Sequence, residues 1–115
     1  MVNIQNENGT LSITSEVLTY LAGDAATSCF GVKGMAGRGE KGALQLLRRE
    51  SMSKGVRVDY NPDGSLSLEL HIGVDHGVNI AAVARSIINE VRYKLSNSAG
   101  VPVKDVDVYI DTIIG

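Results

Sequence analysis

Two histidines are the residues of this sequence whose side chains could most readily bind a metal. His71 and His76, with Asp75 beside the second, would supply two imidazoles and a carboxylate. Alternation along the predicted strand places His71 on its exposed face, whereas His76 lies in the turn that follows. The two rings need not converge, and the sequence specifies no third ligand. We therefore expect neither a metal nor a cofactor here, with an exposed His71 and a turn His76.

A glycine-rich stretch raises a second possibility, binding of phosphate. Residues 37–42 fit the pattern G-x-G-x-x-G, but a dinucleotide loop needs a strand before it, and a helix is predicted there instead. Residues 39–42 also fit G-x-x-G between two predicted helices, which is how a KH domain clamps a nucleic-acid backbone. In that alternative function the loop contacts come from Arg38, Gly39, Lys41 and Gly42. Glu40 lies within this tetrapeptide and argues against nucleic-acid binding, so we favour a solvated loop that only connects two elements.

Composition argues against several functional classes. The formal net charge is −2 and the pI is about 5.6, so nucleic acid is not a favoured partner. The one cysteine, Cys29, excludes an internal disulfide, and its place on an apolar helical stripe predicts a buried structural thiol. No Ser-His-Asp, Cys-His or H-E-x-x-H pattern is present, so the sequence gives no positive reason to expect an enzyme.

A signal peptide has a basic region followed by an apolar one, and the N-terminus of this sequence has neither. No window approaches the ~18 apolar residues of a membrane span. These features predict a cytoplasmic protein.

Hydrophobic periodicity predicts an α+β fold. Residues 1–8 are polar and predicted to be a flexible N-terminus, and residues 9–115 a single domain. The predicted order is a strand at 9–14, a helix to about Phe30, a short helix at 43–50, a strand pair at 56–60 and 66–74, a long helix at 80–98 and a last strand at 106–110. One apolar stripe per helix and one apolar face per strand imply two layers: a small antiparallel or mixed β-sheet with two long helices on one face.

The other face of that sheet is predicted to be polar and open to a partner. Alternation places six side chains on it: Glu69, His71, Asp105, Asp107, Tyr109 and Asp111. The acidic members are expected to be solvated rather than catalytic. Because Glu69, His71 and Tyr109 combine polar and aromatic character, we select them as the candidate partner surface.

The order of motifs resembles the bacterial alkaline-shock or envelope stress response proteins. The resemblance covers about residues 9–113 and is carried by the segments 9–18, Gly34-Met35-Ala36, 46–50, Ser53-Lys54-Gly55-Val56 and His76-Gly77-Val78-Asn79-Ile80. His76 stands where relatives usually carry an aromatic residue such as tyrosine, which favours a packing role for this position.

The resemblance implies a non-enzymatic interaction or scaffold protein of the envelope stress response or of linked lipid metabolism. The segment 46–56 looks most like the small branch often encoded beside a fatty-acid-kinase-like protein. The family implies a homo-oligomer with protein partners at or near the membrane, peripheral to its inner face through those partners. It supplies no catalytic residue to carry over.

Overall fold

A mixed β-sheet covered by two helices forms the centre of the protein. The computed structural model describes residues 2–6, 9–38, 44–46 and 54–114. In chain order the elements are β1 (Val2–Asn6), β2 (Gly9–Ile13), α1 (Ser15–Thr27), β3 (Val32–Arg38), β4 (Leu44–Leu46), β5 (Val56–Tyr60), β6 (Leu66–Asp75), α2 (Ile80–Ala99) and β7 (Val103–Ile114). This is the predicted α+β class.

Strand β6 organises the sheet because three other strands pair with it. β7 runs parallel to β6 along its whole length, from Leu66 to Asp75. β5 pairs antiparallel with residues 66–70, and β3 pairs antiparallel with residues 72–74. β5 and β3 therefore share the second edge of β6, one beside each half. The sheet is thus mixed, one of the two predicted arrangements.

Gly55 lies where β3 leaves this edge and β5 begins. A Cβ atom on Gly55 would lie 3.0 Å from the carbonyl oxygen of Ala36, 3.0 Å from the Cβ of Met35 and 3.2 Å from the carbonyl oxygen of His71. Those distances are shorter than ordinary van der Waals contact, so a glycine is needed for the two chain segments to approach. A side chain at position 55 would therefore also crowd the backbone of His71.

Both helices pack on one face of the sheet. The long helix α2 buries Val83, Ile87, Val91 and Leu95, at the spacing predicted from the sequence. Asn79 caps its first turn by accepting a hydrogen bond from the backbone N–H of Ala82 at 3.1 Å. The core between the layers also contains Leu18 of α1 and the inward residues of β6.

Helix α1 ends earlier than predicted, at Thr27 rather than about Phe30. Cys29 therefore follows the helix, yet it is buried as expected, and its thiol contacts the carbonyl oxygen of Ala25 at 3.5 Å. The prediction of a buried thiol is confirmed.

The glycine-rich stretch corrects two sequence predictions. Gly34, Met35 and Ala36 belong to strand β3, where an irregular connection was expected. Leu44–Leu46 form strand β4, antiparallel to β3, where a short amphipathic helix was expected. Glycines disfavour strands, but pairing with β6 supplies the backbone hydrogen bonds that local propensity does not indicate. The stretch thus begins as part of the sheet.

The N-terminal residues also differ from expectation in local structure. Val2–Asn6 form a strand that pairs with Gly9–Ile13, with Asn3 opposite Ser12. Ser12 donates a side-chain hydrogen bond to Asn3 at 2.7 Å. Backbone pairing, which needs no apolar face, explains a strand in so polar a segment. The flexibility of residues 1–8 and the single domain over 9–115 stay predictions.

Candidate partner-binding site

The polar face of β6 and β7 brings the three predicted partner-surface residues together. Alternation turns Leu68, Leu70 and Ile72 into the core, so Glu69 and His71 point to the opposite side of the sheet. In the parallel register with β7, Glu69 lies beside Asp107 and His71 beside Tyr109. Register between two distant segments, rather than local sequence, therefore assembles this surface.

His71 is fixed by contacts on both edges of its ring. Its Nδ1 atom lies 2.8 Å from Oδ2 of Asp111, and its Nε2 atom lies 3.1 Å from Oε2 of Glu69. The ring stacks on Tyr109 with the centroids 4.9 Å apart and the planes 12° from parallel. We call Glu69, His71, Tyr109 and Asp111 the His71 cluster.

A bulge in β7 places Asp111 in this cluster. Ile72 pairs with Ile110, but the next residue, Gly73, pairs with Thr112, so Asp111 is the extra residue on β7. Bulges bend a strand and re-aim side chains, and they occur often beside functional sites. Asp111, two residues after Tyr109 on β7, can therefore contact the ring of His71.

The contacts favour the doubly protonated form of His71. A neutral imidazole carries one N–H, whereas an imidazolium carries two and can donate to both carboxylates. Partial burial of the ring lowers the pKa of His71, but the hydrogen bonds to Glu69 and Asp111 and the negative charges of these two carboxylates together raise it by more, so its pKa lies above the ordinary value. The side chain of His71 is 33% exposed, as is that of Glu69, while Asp111 is 22% exposed.

Other polar residues extend this face along the sheet. Ser67 donates to Asp105 at 3.3 Å, joining β6 to β7 one step before Glu69. On the other side of Glu69, Arg57 lies in register on β5, and its guanidinium is 3.4 Å from Asp59. The predicted polar face is confirmed, and it presents several carboxylates together with one exposed aromatic ring.

Asp111 is the member of the cluster that the partner-surface prediction missed. Alternation had already placed it on the polar face, but two observations were needed to connect it with His71. One is the parallel pairing of β6 with β7, and the other is the bulge at Asp111 itself. Neither leaves a pattern in the local sequence.

The glycine-loop alternative loses its structural premise. Arg38 ends strand β3, and Gly39, Lys41 and Gly42 lie outside the described residues. The elements on either side of the loop are antiparallel strands, with Arg38 opposite Leu44, whereas a KH clamp needs helices on both sides. A dinucleotide loop needs a helix after it, and here β4 follows.

Asp75 and His76 do not join His71. Asp75 pairs with Lys33 at 3.1 Å, and the backbone N–H of His76 donates to the carbonyl oxygen of Ile114 at 2.7 Å in an exposed turn. Across residues 2–6, 9–38, 44–46 and 54–114, no three His, Cys, Asp or Glu side chains are arranged to hold a metal ion. The expected absence of a metal or cofactor stays a prediction.

Solved structures establish that the fold is a known one. A doubly substituted MamM-CTD superposes with a TM-score of 0.57 and 16% identity, covering 84% of this chain and 92% of that one. Another MamM-CTD variant, in its cadmium form, has a TM-score of 0.52 and 17% identity over 86% of this chain and 98% of that one. At these identities the likeness concerns the fold alone. Neither of the helices in the described part of the chain is long and apolar enough to cross a bilayer.

Sequence relatives identify the family. The uncharacterized protein YloU of Bacillus subtilis is 29% identical over 114 residues, which cover 97% of this chain and 94% of YloU. The uncharacterized protein Spy1614 of Streptococcus pyogenes is 31% identical over 114 residues, covering 97% of this chain and 93% of Spy1614. A family model for the ASP23 family, cell envelope-related function, matches residues 3–114. The resemblance to alkaline-shock proteins is thereby confirmed, and the chain belongs to the ASP23 family.

Proposed function

We propose that this protein is a non-enzymatic interaction or scaffold protein of the cell envelope, acting in the envelope stress response or linked lipid metabolism. Its protein partners lie at or near the inner face of the membrane, while the protein itself is cytoplasmic and self-associates. The observation that carries the proposal is the His71 cluster. It is an ordered group of polar and aromatic side chains on a sheet face that no helix of the described chain covers.

The chemistry of His71 supports a binding role over a catalytic one. A general base needs a ring nitrogen within reach of the proton it abstracts. Both nitrogens of His71 instead face carboxylates of the same chain, at 2.8 and 3.1 Å. The ring is therefore held as a fixed part of the surface. Tyr109, 45% exposed beside it, offers the amphipathic area that is enriched at protein interfaces.

The proposal is tested by capturing partners from native cells with the tagged full-length chain after mild cross-linking. Wild type is compared with the double variant His71→Ala, Tyr109→Ala and with the control Tyr93→Ala, which removes an exposed tyrosine from the opposite layer. We expect envelope-associated proteins to be enriched by wild type and by the control, and lost from the double variant. Equal enrichment by all three chains would show that the partner surface lies elsewhere.

Self-association is tested separately by sedimentation velocity over a range of protein concentrations. We expect species larger than the 12.2 kDa chain. A monomer at every concentration, including those reached in the cell, would remove self-association from the proposal and leave the partner-binding part intact.

A further inference from the structure

His71 links two strands through contacts that require both of its ring protons. Asp111 belongs to β7 and Glu69 to β6, and each carboxylate faces a different nitrogen of one ring. When the ring is neutral, one nitrogen carries a lone pair and faces a carboxylate oxygen at about 3 Å, which is repulsive. Both contacts are therefore favourable when the ring is protonated, and one of them is repulsive when the ring is neutral.

The charges around the ring favour the protonated state. From β7, His71 is faced by Asp111 and Tyr109, with Asp107 in register beside Glu69. On β5, Arg57 lies in register with Glu69, and the exposed Lys54 precedes Gly55, next to the start of that strand. On β3, Lys33 is paired with Asp75 at 3.1 Å. The charged groups shown in direct contact with the imidazole are thus the carboxylates of Glu69 and Asp111.

We propose that His71 is a pH-dependent latch on the partner surface, closed when its ring is protonated and opened by the release of Glu69 when the ring becomes neutral. This inference rests on the proposed function only in taking that surface to be the one that partners contact. The latch itself is a property of the isolated chain.

Geometry selects Glu69 as the carboxylate that leaves. The contact to Asp111 is the shorter, at 2.8 Å against 3.1 Å, and Asp111 is the less exposed acid, at 22% against 33%. The neutral ring keeps its Nδ1–H bonded to Asp111 and presents the lone pair of Nε2 to Glu69. Glu69 then turns toward Arg57, its cross-strand neighbour on β5. In the closed arrangement seen here, Arg57 contacts Asp59. The face becomes more negative and one of its side chains changes position.

The pKa of His71 agrees with this device, because the hydrogen bonds and charges of Glu69 and Asp111 together outweigh the effect of burial and raise the pKa. Closure therefore extends to higher pH than it would for an exposed histidine. Tyr109 stacks on the ring that these two contacts hold, so opening the latch loosens the aromatic part of the surface too.

The latch is tested by NMR on the ¹⁵N-labelled full chain, following the histidine ring nitrogens and the backbone amides across a pH series. In wild type we expect the His71 ring to titrate above the ordinary pKa of about 6.5 and to end as the Nδ1–H tautomer. The amides of Glu69 and Arg57 should shift with the same midpoint. His76→Gln assigns the two rings.

Four variants separate the latch from a merely exposed histidine. Glu69→Gln and Asp111→Asn should each lower the pKa of His71, while Glu90→Gln, which changes an exposed carboxylate on α2, should leave it unchanged. In His71→Gln the amide shifts at Glu69 and Arg57 should lose the shared midpoint. If Asp111→Asn does not fold, the pKa of His71 in Glu69→Gln alone decides whether the carboxylate contacts raise it.

Three results would overturn the latch: a pKa at or below the ordinary value, a neutral ring in the Nε2–H form, or amide shifts that persist in His71→Gln. None of these depends on a partner. If the double variant captured the same partners as wild type, the proposed partner surface would be wrong while the latch could still be measured. The two failures can therefore be told apart.

Discussion

The two faces of strand β6 are fixed by different forces. On the helix side, Leu66, Leu70 and Ile72 are completely buried, and their position follows from exclusion of water. On the opposite side, Glu69 and His71 are one-third exposed and are fixed by directed contacts to each other and to Asp111. Adjacent residues of one strand thus differ in kind: the three buried side chains carry no titratable group, whereas the opposite side holds the titratable ring of His71 between two carboxylates.

This difference explains why one face of β6 can stabilise the fold while the other face is available for binding. Apolar burial is worth several kcal/mol per large side chain, whereas exposed ion pairs contribute between about 0 and 1 kcal/mol. The cluster can therefore change its contacts without unfolding the sheet that positions it. The predictions below test this separation, beginning with the change that should cost most.

Leu70→Ala and His71→Ala compare the two faces at consecutive residues. Leu70 is fully buried, so its truncation should reduce the free energy of unfolding by about 2–5 kcal/mol through lost burial and a residual cavity. His71→Ala removes partly exposed contacts and should cost no more than about 1 kcal/mol. Urea denaturation at neutral pH measures both. A cost for His71→Ala that equals the cost for Leu70→Ala would show that the polar face also carries the fold.

Gly55→Ala tests the place where the two faces are coupled through the backbone. The added methyl group would lie 3.0 Å from the carbonyl oxygen of Ala36 and 3.2 Å from that of His71. We expect a loss of about 1–3 kcal/mol in unfolding free energy, as in other overpacked sites, together with amide shift changes at His71.

Gly64→Ala is the control for Gly55→Ala, because Gly64 has a φ of +88° and open space around it. That variant carries backbone strain without crowding, and it should leave the His71 amide unmoved. A loss of stability in Gly55→Ala with no response at His71 would mean that the backbone does not couple the two faces.

The apolar face could be predicted from the sequence, because its information is local. Alternation from Leu66 to Ile72 identifies the core side of β6, and the spacing of Ile87, Val91 and Leu95 identifies the buried stripe of α2. Strands β3 and β4 could not be predicted in this way. Gly34 and Gly37 disfavour a strand locally, and pairing with residues 72–74 and 44–46 overrides that preference.

The polar face could be predicted only as far as its membership. Alternation correctly placed Glu69, His71, Tyr109 and Asp111 on one side of the sheet. It could not indicate that β7 lies parallel to β6, since strand order is a property of the tertiary fold. The bulge at Asp111 leaves no local pattern either, so the contact between Asp111 and His71 could not be predicted from the sequence.

The pH dependence of stability should distinguish the polar face from the apolar one. Because the pKa of His71 is raised by folding, its stabilising contribution is complete below the unfolded pKa of about 6.5 and is lost as the pH rises through the folded pKa. The wild type should therefore lose stability relative to His71→Gln across that window. With the ring one-third exposed, the loss should stay below about 1 kcal/mol.

Urea denaturation of wild type, His71→Gln and Leu70→Val across a pH series measures this dependence. Leu70→Val should lower stability by a nearly constant amount at every pH, since no proton is involved in its burial. A wild-type advantage over His71→Gln that grows toward alkaline pH would have the wrong sign for a ring held by two carboxylates.

Tyr109→Ala should have the smallest effect on stability, because its ring is 45% exposed and its main described contact is the stack on His71. A stacked pair contributes about 0.5–1.5 kcal/mol when well packed, and exposure places this one at the low end. Tyr93→Ala removes a tyrosine of α2 that is 64% exposed. Its cost in unfolding free energy, subtracted from that of Tyr109→Ala, leaves the contribution of the stack together with the difference in burial between the two sites. The difference should be positive below the folded pKa of His71 and should shrink above it, since the stacked ring is then held by one carboxylate instead of two. A difference that is constant with pH would mean that the stack does not depend on the proton, and that the aromatic and ionic parts of the polar face act independently.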